Sequence, residues 1–260
     1  MKHASIIVCH YSLVDDFGEL RATGSLMTRS EMLKRCILSL KENTDYPAEI
    51  IVMDNGGNPD DTDWLVGQVR EGVIDTLVRY KNNMNFAFAW NQGFRLATGD
   101  YVCFTCNDIE FKPKWLSSCV SLLEKYPERK LIASPYISPE KNRPNWNKEV
   151  LPDGARINSL AGSACFITTP EVFKDIGEMP HHRVGGSIWH RRMCRMGYQV
   201  IIPPVDLVEH LGFRGGTNYY RQLNIERTLL NGEKVQFNYK YEGNKNYYEG
   251  GIQKPAEVKL

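Results

Sequence analysis

Gly99-Asp100-Tyr101-Val102-Cys103-Phe104-Thr105-Cys106-Asn107-Asp108-Ile109-Glu110 is the stretch on which the fold turns. A Gly-Asp turn launches an apolar run rich in β-formers, which predicts a short buried strand of a parallel sheet. The run stops on Asn107-Asp108, and Phe111-Lys112-Pro113 then predicts an exit from any sheet. Open α/β sheets bind ligands at the carboxyl ends of their central strands. An amide and a carboxylate there supply hard oxygen ligands, which suit Mg²⁺ or Mn²⁺ and the phosphates such ions accompany.

Outward from that strand, the N-terminal side alternates strands and helices. Ser5 to Cys9 predicts a first buried strand ending at His10-Tyr11-Ser12, and Val14 to Arg29 a long polar connection. Ser30 as N-cap, with Leu33, Ile37 and Leu40 at helical spacing, starts a helix. Glu49 to Met53 predicts a strand ending at Asp54-Asn55-Gly56-Gly57, followed by a helix over 61–71 and a strand over 75–80. A short helix over 91–97 feeds the central strand, and Lys114 to Tyr126 is helical, with Trp115, Leu116, Val120 and Leu123 on one face. This order predicts a doubly wound α/β sheet with helices on both faces.

Beyond it, Leu131 to Ser134 reads as a strand and Pro135 to Arg156 as a Pro- and Asn-rich excursion. A small apolar stretch (160–168), helices over 170–176 and 188–196, and a strand over 199–204 follow. Val205 to His210 continues as an extended segment. Asn218 to Leu230 predicts a helix and Tyr241 to Leu260 a polar tail.

The 260 residues suffice for one large domain with a tail. A formal net charge of +1 implies no field for general polyanion binding, which argues against a nucleic-acid partner. No run approaches a membrane span, and the N-terminus lacks the apolar core of a signal peptide, so the expected location is cytoplasmic. The seven cysteines are scattered through predicted strands and helices, as buried hydrophobes are. Cys103 and Cys106 form a C-x-x-C inside a strand, where odd separation sends the thiols to opposite faces and argues against a shared metal or disulfide.

Five ordered motifs between Ser5 and about Gly216 resemble the family 2 glycosyltransferases, whose fold is GT-A and whose donors are nucleotide-diphosphate sugars. Ile50 to Gly57 resembles the strand whose terminal Asp binds the base or ribose. Asn83-Met84-Asn85-Phe86-Ala87-Phe88-Ala89-Trp90-Asn91-Gln92-Gly93, then Ala97-Thr98-Gly99-Asp100, matches a specific spacing of that family. Cys106-Asn107-Asp108-Ile109-Glu110 is similar to its Asp-x-Asp metal motif. Leu160-Ala161-Gly162-Ser163-Ala164-Cys165-Phe166-Ile167 is similar to its acceptor-side strand. Gly197 through Pro203 to Val208-Glu209-His210-Leu211-Gly212 resembles the segment that supplies a metal-binding His.

The resemblance implies a GT-A domain over 1–216, with a nucleotide-sugar half at 1–110 and an acceptor half at 111–216, followed by a C-terminal helix and tail at 217–260. It implies metal-dependent transfer of a sugar from a nucleotide-diphosphate donor to a hydroxyl acceptor, whether glycan, lipid-linked or other. Asp108 and His210 are the implied ligands of Mn²⁺ or Mg²⁺. The donor falls to His10, Tyr11, Asp54, Asn83, Asn91 and Asn107, and the acceptor side to Gly162 and Trp189. Asp54 also suits a turn-initiating role, Asn91 a helix cap, and Trp189 either a stacking face for a sugar or the core.

Two departures from the family pattern stand out. Asn85 takes a place often held by Gly, a mild change because Asn tolerates left-handed backbone. Arg183 to Arg192 contains no carboxylate, although inverting members carry their general base there. His181 or His182 is the imidazole expected to replace it, with His190 the third candidate in the segment. The same departure motivates an alternative, a non-catalytic sugar-nucleotide- or glycan-binding domain. A sugar nucleotidyltransferase is disfavoured, because His10-Tyr11-Ser12 stands where a Gly-rich triphosphate loop would be needed.

Overall fold

The computed structural model describes residues 1–12, 27–135, 147–158, 164–181 and 185–211. The readings for Gly162, His182, the bulk of the polar connection after Ser12 and the 217–260 helix and tail lie outside these residues.

Strands β1 (Ala4–His10), β2 (Ala48–Asp54), β3 (Thr76–Arg79) and β4 (Tyr101–Cys106) form the parallel half of the main sheet, in the order β3-β2-β1-β4. The sheet continues from β4 through β9 (Cys165–Thr168), β6 (Leu131–Ala133), β10 (Gln199–Ile202), β8 (Arg156–Asn158) and β7 (Asn147–Val150). β9 runs antiparallel to both β4 and β6, while β6 and β10 are parallel.

Helices cover both faces. Ile6, Val8, Val52 and Cys103 pack on one side with α1 (Arg29–Asn43), α2 (Pro59–Arg70) and α4 (Trp115–Lys125). Ile7, Met53, Val102 and Phe104 pack on the other, with α3 (Phe86–Leu96), α5 (Pro170–Ile176) and α6 (Gly185–Arg195). The period of two in a strand sends alternate residues to the two cores, so strands buried on both faces carry near-continuous apolar runs. Cys103 and Cys106 accordingly face opposite cores, and Cys103 Sγ instead lies 3.9 Å from Cys165 Sγ across the β4–β9 pair.

Local details differ from the sequence expectations where capping or turn chemistry decides. The N-cap of α1 is Thr28 rather than Ser30, because Thr28 and Glu31 close a capping box. α3 starts five residues before Asn91: Asn85 caps it, at φ 81°, and accepts from the Ala87 N–H. That positive φ is the conformation that makes Asn an adequate substitute for Gly there. Two short strands, β7 and β8, occupy the end of the predicted excursion, joined through Pro152-Asp153-Gly154 with Gly154 at φ 80°. Phe111 does not end the pairing either, since β5 (Ile109–Phe111) forms a two-stranded antiparallel ribbon with β11 (Val208–His210).

Candidate active site

The parallel register brings the chemistry-bearing strand ends together. His10 at the end of β1 is aligned with Asp54 at the end of β2, and Cys9 with Cys106 at the end of β4. One step further along β4, Asn107 Nδ2 lies 3.0 Å from His10 Nδ1, and His10 Nε2 lies 3.2 Å from Asp61 Oδ2 on α2. Asp61 is buried, which disfavours its charge, but hydrogen bonds from His10, Ser12 and Ser30 prevail and hold its carboxyl below the usual range. The Asn58–Asp61 spacing signals a helix cap in the sequence, but nothing there links Asp61 to His10.

Asp54 is fully enclosed. Its Oδ1 accepts from the Gly57 N–H at 2.8 Å and its Oδ2 from the Thr62 hydroxyl at 2.7 Å, with Arg79 Nε at 3.7 Å. The turn-building role therefore holds, and the exposed group beside it is the Arg79 guanidinium. A Cβ on Gly57 would sit 2.7 Å from Asp54 Oδ1 and 2.8 Å from His10 Nε2, so only glycine lets this turn close. Asn55 ties the turn to the next loop: its Nδ2 donates to Asn83 Oδ1 at 3.1 Å, and its Oδ1 accepts from the Met84 N–H at 2.9 Å. Asn83 is exposed, its oxygen also accepting from the Asn85 N–H.

Asp108 and His210, 102 residues apart, meet through the β5–β11 ribbon, where His210 pairs with Ile109 and the Leu211 N–H donates to the Asp108 carbonyl. His210 Nε2 lies 2.9 Å from Asp108 Oδ2. Burial works against both charges, yet the two groups hold each other charged. Asp108 lies below the usual carboxylate range, with Arg29 adding to the effect, and His210 lies above the usual imidazole value. Tyr11, next in the chain after His10, is half-buried, with the Arg29 guanidinium 5.4 Å from its ring. Arg29 is the cation sequence reasoning missed, since an Arg just inside a helix start carries no ligand signal.

The pair fits a divalent ion. Two ligand atoms at right angles, each about 2.1 Å from a metal, are about 3.0 Å apart, close to the observed separation. Asp108 Oδ1 is buried without a hydrogen-bond partner among the described residues, so the carboxylate has an unused oxygen. No group of three or more His, Cys, Asp or Glu side chains able to hold an ion occurs among the described residues.

On the α3 side, the predicted cap Asn91 is fully buried in mid-helix. Its Oδ1 accepts from the Met179 N–H at 3.0 Å, while its Nδ2 donates to the Met179 carbonyl at 2.8 Å and faces His181 Nε2 at 3.1 Å. His181 is exposed.

Two predicted residues belong to the core instead. Trp189 is fully buried, stacked between Phe166 and Phe173, and its Nε1 donates to the Gly177 carbonyl at 2.7 Å. It therefore has no free face for a sugar. Its neighbour His190 is 2% exposed, and neither ring nitrogen has a hydrogen-bond partner among the described residues. Burial pushes its pKa down to about 4, which removes it from the candidate bases.

A parallel β3-β2-β1-β4 core continued by an antiparallel strand, with helices on both faces, is the architecture of the GT-A glycosyltransferases. Solved structures share it. GalNAc-T7 with UDP, GalNAc and Mn²⁺ aligns with a TM-score of 0.58 at 14% identity, over 81% of this chain and 43% of that one. S. aureus TarS 1–349 aligns with a TM-score of 0.55 at 16% identity, over 78% and 60%.

The sequence profile of glycosyl transferase family 2 matches residues 27–182, more than half of the chain, and the protein belongs to that family. A glucosyl-dolichyl phosphate glucuronosyltransferase of Haloferax volcanii is 25% identical over 144 residues, 55% of this chain. The chain spans 39% of that relative's length. Among the described residues, no helix is long and apolar enough to cross a membrane.

Proposed function

We propose that this domain transfers a sugar from a nucleotide-diphosphate donor to a hydroxyl acceptor, with Mn²⁺ or Mg²⁺ held by Asp108 and His210. The observation that carries the reading is the meeting of that carboxylate and that imidazole at 2.9 Å, beside Asn107 at the end of a central strand. When bound, the ion would neutralise the diphosphate as it leaves.

The chain's own residues divide into contacts and supports. Tyr11, Asn83, Asn107 and Arg79 are exposed or half-buried and contact the nucleotide, while Arg29 adds positive charge on the diphosphate side. His10, Asp54 and Asn91 are buried and act by holding the strand ends and α3 in place. The acceptor hydroxyl attacks the anomeric carbon, the bond to the diphosphate breaks, and the hydroxyl proton must pass to a base. His182 is the imidazole we assign to that step, because His190 is enclosed and His181 Nε2 already faces an amide donor.

A screen of nucleotide sugars with Mn²⁺ tests the reading, with donor hydrolysis and transfer followed by NMR. Turnover that needs the metal and is lost in His182→Asn supports it. Donor binding without turnover for any donor and acceptor supports the non-catalytic binding domain instead.

A further inference from the structure

Asn91 fixes which nitrogen of His181 carries hydrogen. The backbone of Met179 sets the orientation of the Asn91 amide beyond ambiguity: an N–H can only donate, so Oδ1 faces it, and a carbonyl can only accept, so Nδ2 faces that. The second amide hydrogen then points at His181 Nε2, 3.1 Å away, and that nitrogen must accept. An imidazole that accepts at Nε2 carries its hydrogen on Nδ1. In this arrangement neither ring nitrogen has a lone pair left for an acceptor's proton, and the group His181 offers to the surface is an N–H.

The surroundings say what such a donor is for. The His181 ring stands edge-to-face against Phe88, with centroids 5.2 Å apart, and Phe88 stands likewise against Tyr80 at 5.5 Å. Phe88 and Tyr80 are both half-buried. The row begins at the nucleotide end of the site, because the Tyr80 N–H donates to the Asp54 carbonyl at 2.8 Å. Its middle member, Phe88, lies in the first turn of α3, whose cap Asn85 donates its N–H to the Asn83 side chain. The row therefore starts beside the groups assigned above to the nucleotide. Partly exposed aromatic surface with one oriented N–H is the combination a pyranose requires: C–H faces pack on the rings and a hydroxyl accepts from the donor.

We propose that His181 is a sugar-contacting hydrogen-bond donor through Nδ1–H, its tautomer set by Asn91, and that Tyr80, Phe88 and His181 form the face that receives the donor's sugar ring. The assignment of the sugar rests on the nucleotide-sugar reading above, whereas the tautomer does not.

Two experiments separate the parts. Long-range ¹H–¹⁵N NMR of the ligand-free, metal-free protein, with His181 assigned by its loss in His181→Asn, reads the tautomer directly. The expected result is hydrogen on Nδ1, and a spectrum with hydrogen on Nε2 overturns the proposal whatever the enzyme's donor.

Donor kinetics then compare His181→Asn, whose amide nitrogen overlays Nδ1, with His181→Gln, whose amide overlays Nε2. Asn is expected to stay within about threefold of wild type, and Gln to raise the KM for the donor sugar nucleotide about tenfold, the usual worth of one such hydrogen bond. Affinity for free UDP or GDP with Mn²⁺ should not change in either variant. Equal impairment of both variants, or wild-type behaviour of both, overturns the proposal. Failure of wild type to bind any nucleoside diphosphate refutes the donor reading and the sugar assigned here, while the NMR result still decides the tautomer.

Discussion

His190 supplies a sharp test of the packing argument, because its ring is enclosed by Phe166 and Trp189 with both nitrogens unpaired among the described residues. Its pKa in the folded protein is about 4, against an ordinary value near 6.5 for an exposed imidazole. A folded pKa below the unfolded one means that the unfolded chain takes up the proton first as pH falls. The group's contribution is therefore complete above about pH 6.5 and is lost progressively toward pH 4, with nothing further lost below. The full span corresponds to about 3 kcal/mol, of which about 2 kcal/mol is gone by about pH 5.

His190→Leu removes this dependence and replaces two unsatisfied nitrogens with apolar surface, so its stability near neutral pH should be within about 1 kcal/mol of wild type or higher. Urea unfolding of both proteins at neutral and mildly acid pH measures the difference, since the acid-sensitive carboxylates they share cancel. The variant should gain about 2 kcal/mol on wild type between neutrality and about pH 5. Parallel pH–stability curves would show that the ring titrates freely in the folded protein, and the burial argument would fall.

Asp108→Ala and His210→Ala should each abolish metal-dependent donor turnover with Tm lowered by only a few degrees, because Asp108 lies in the turn before β5, His210 ends β11, and both side chains keep a partly exposed edge. Loss of activity and stability in proportion would mark them as structural. Gly57→Ala should weaken nucleotide binding about tenfold or more, since the new methyl meets Asp54 and His10; unchanged affinity by calorimetry contradicts that. Trp189→Ala should cost about 3–5 kcal/mol in urea unfolding, as truncation of a large buried aromatic does. A loss under about 1 kcal/mol with a raised acceptor KM would restore its role as a sugar platform.

What the sequence determined by itself is the part encoded locally. Strands buried on both faces must be continuously apolar, so β1, β2 and β4 stand out, and their strand-end residues mark the cleft before any coordinate is known. Asn85 announced a positive φ by taking a place where glycine is usual, and the odd spacing of Cys103 and Cys106 placed them on opposite faces. Tertiary structure alone decided what depends on contacts distant in the chain. Nothing near Asp108 or His210 specifies that a three-residue ribbon will pair Ile109 with His210. Helical spacing puts Trp189 and His190 on neighbouring positions without saying that both face the core. The lone pair of His181 is settled by an amide 90 residues away, itself oriented by the Met179 backbone. Local pattern follows from short-range sterics and burial period, whereas the state of a polar side chain depends on which partner the fold brings within about 3 Å.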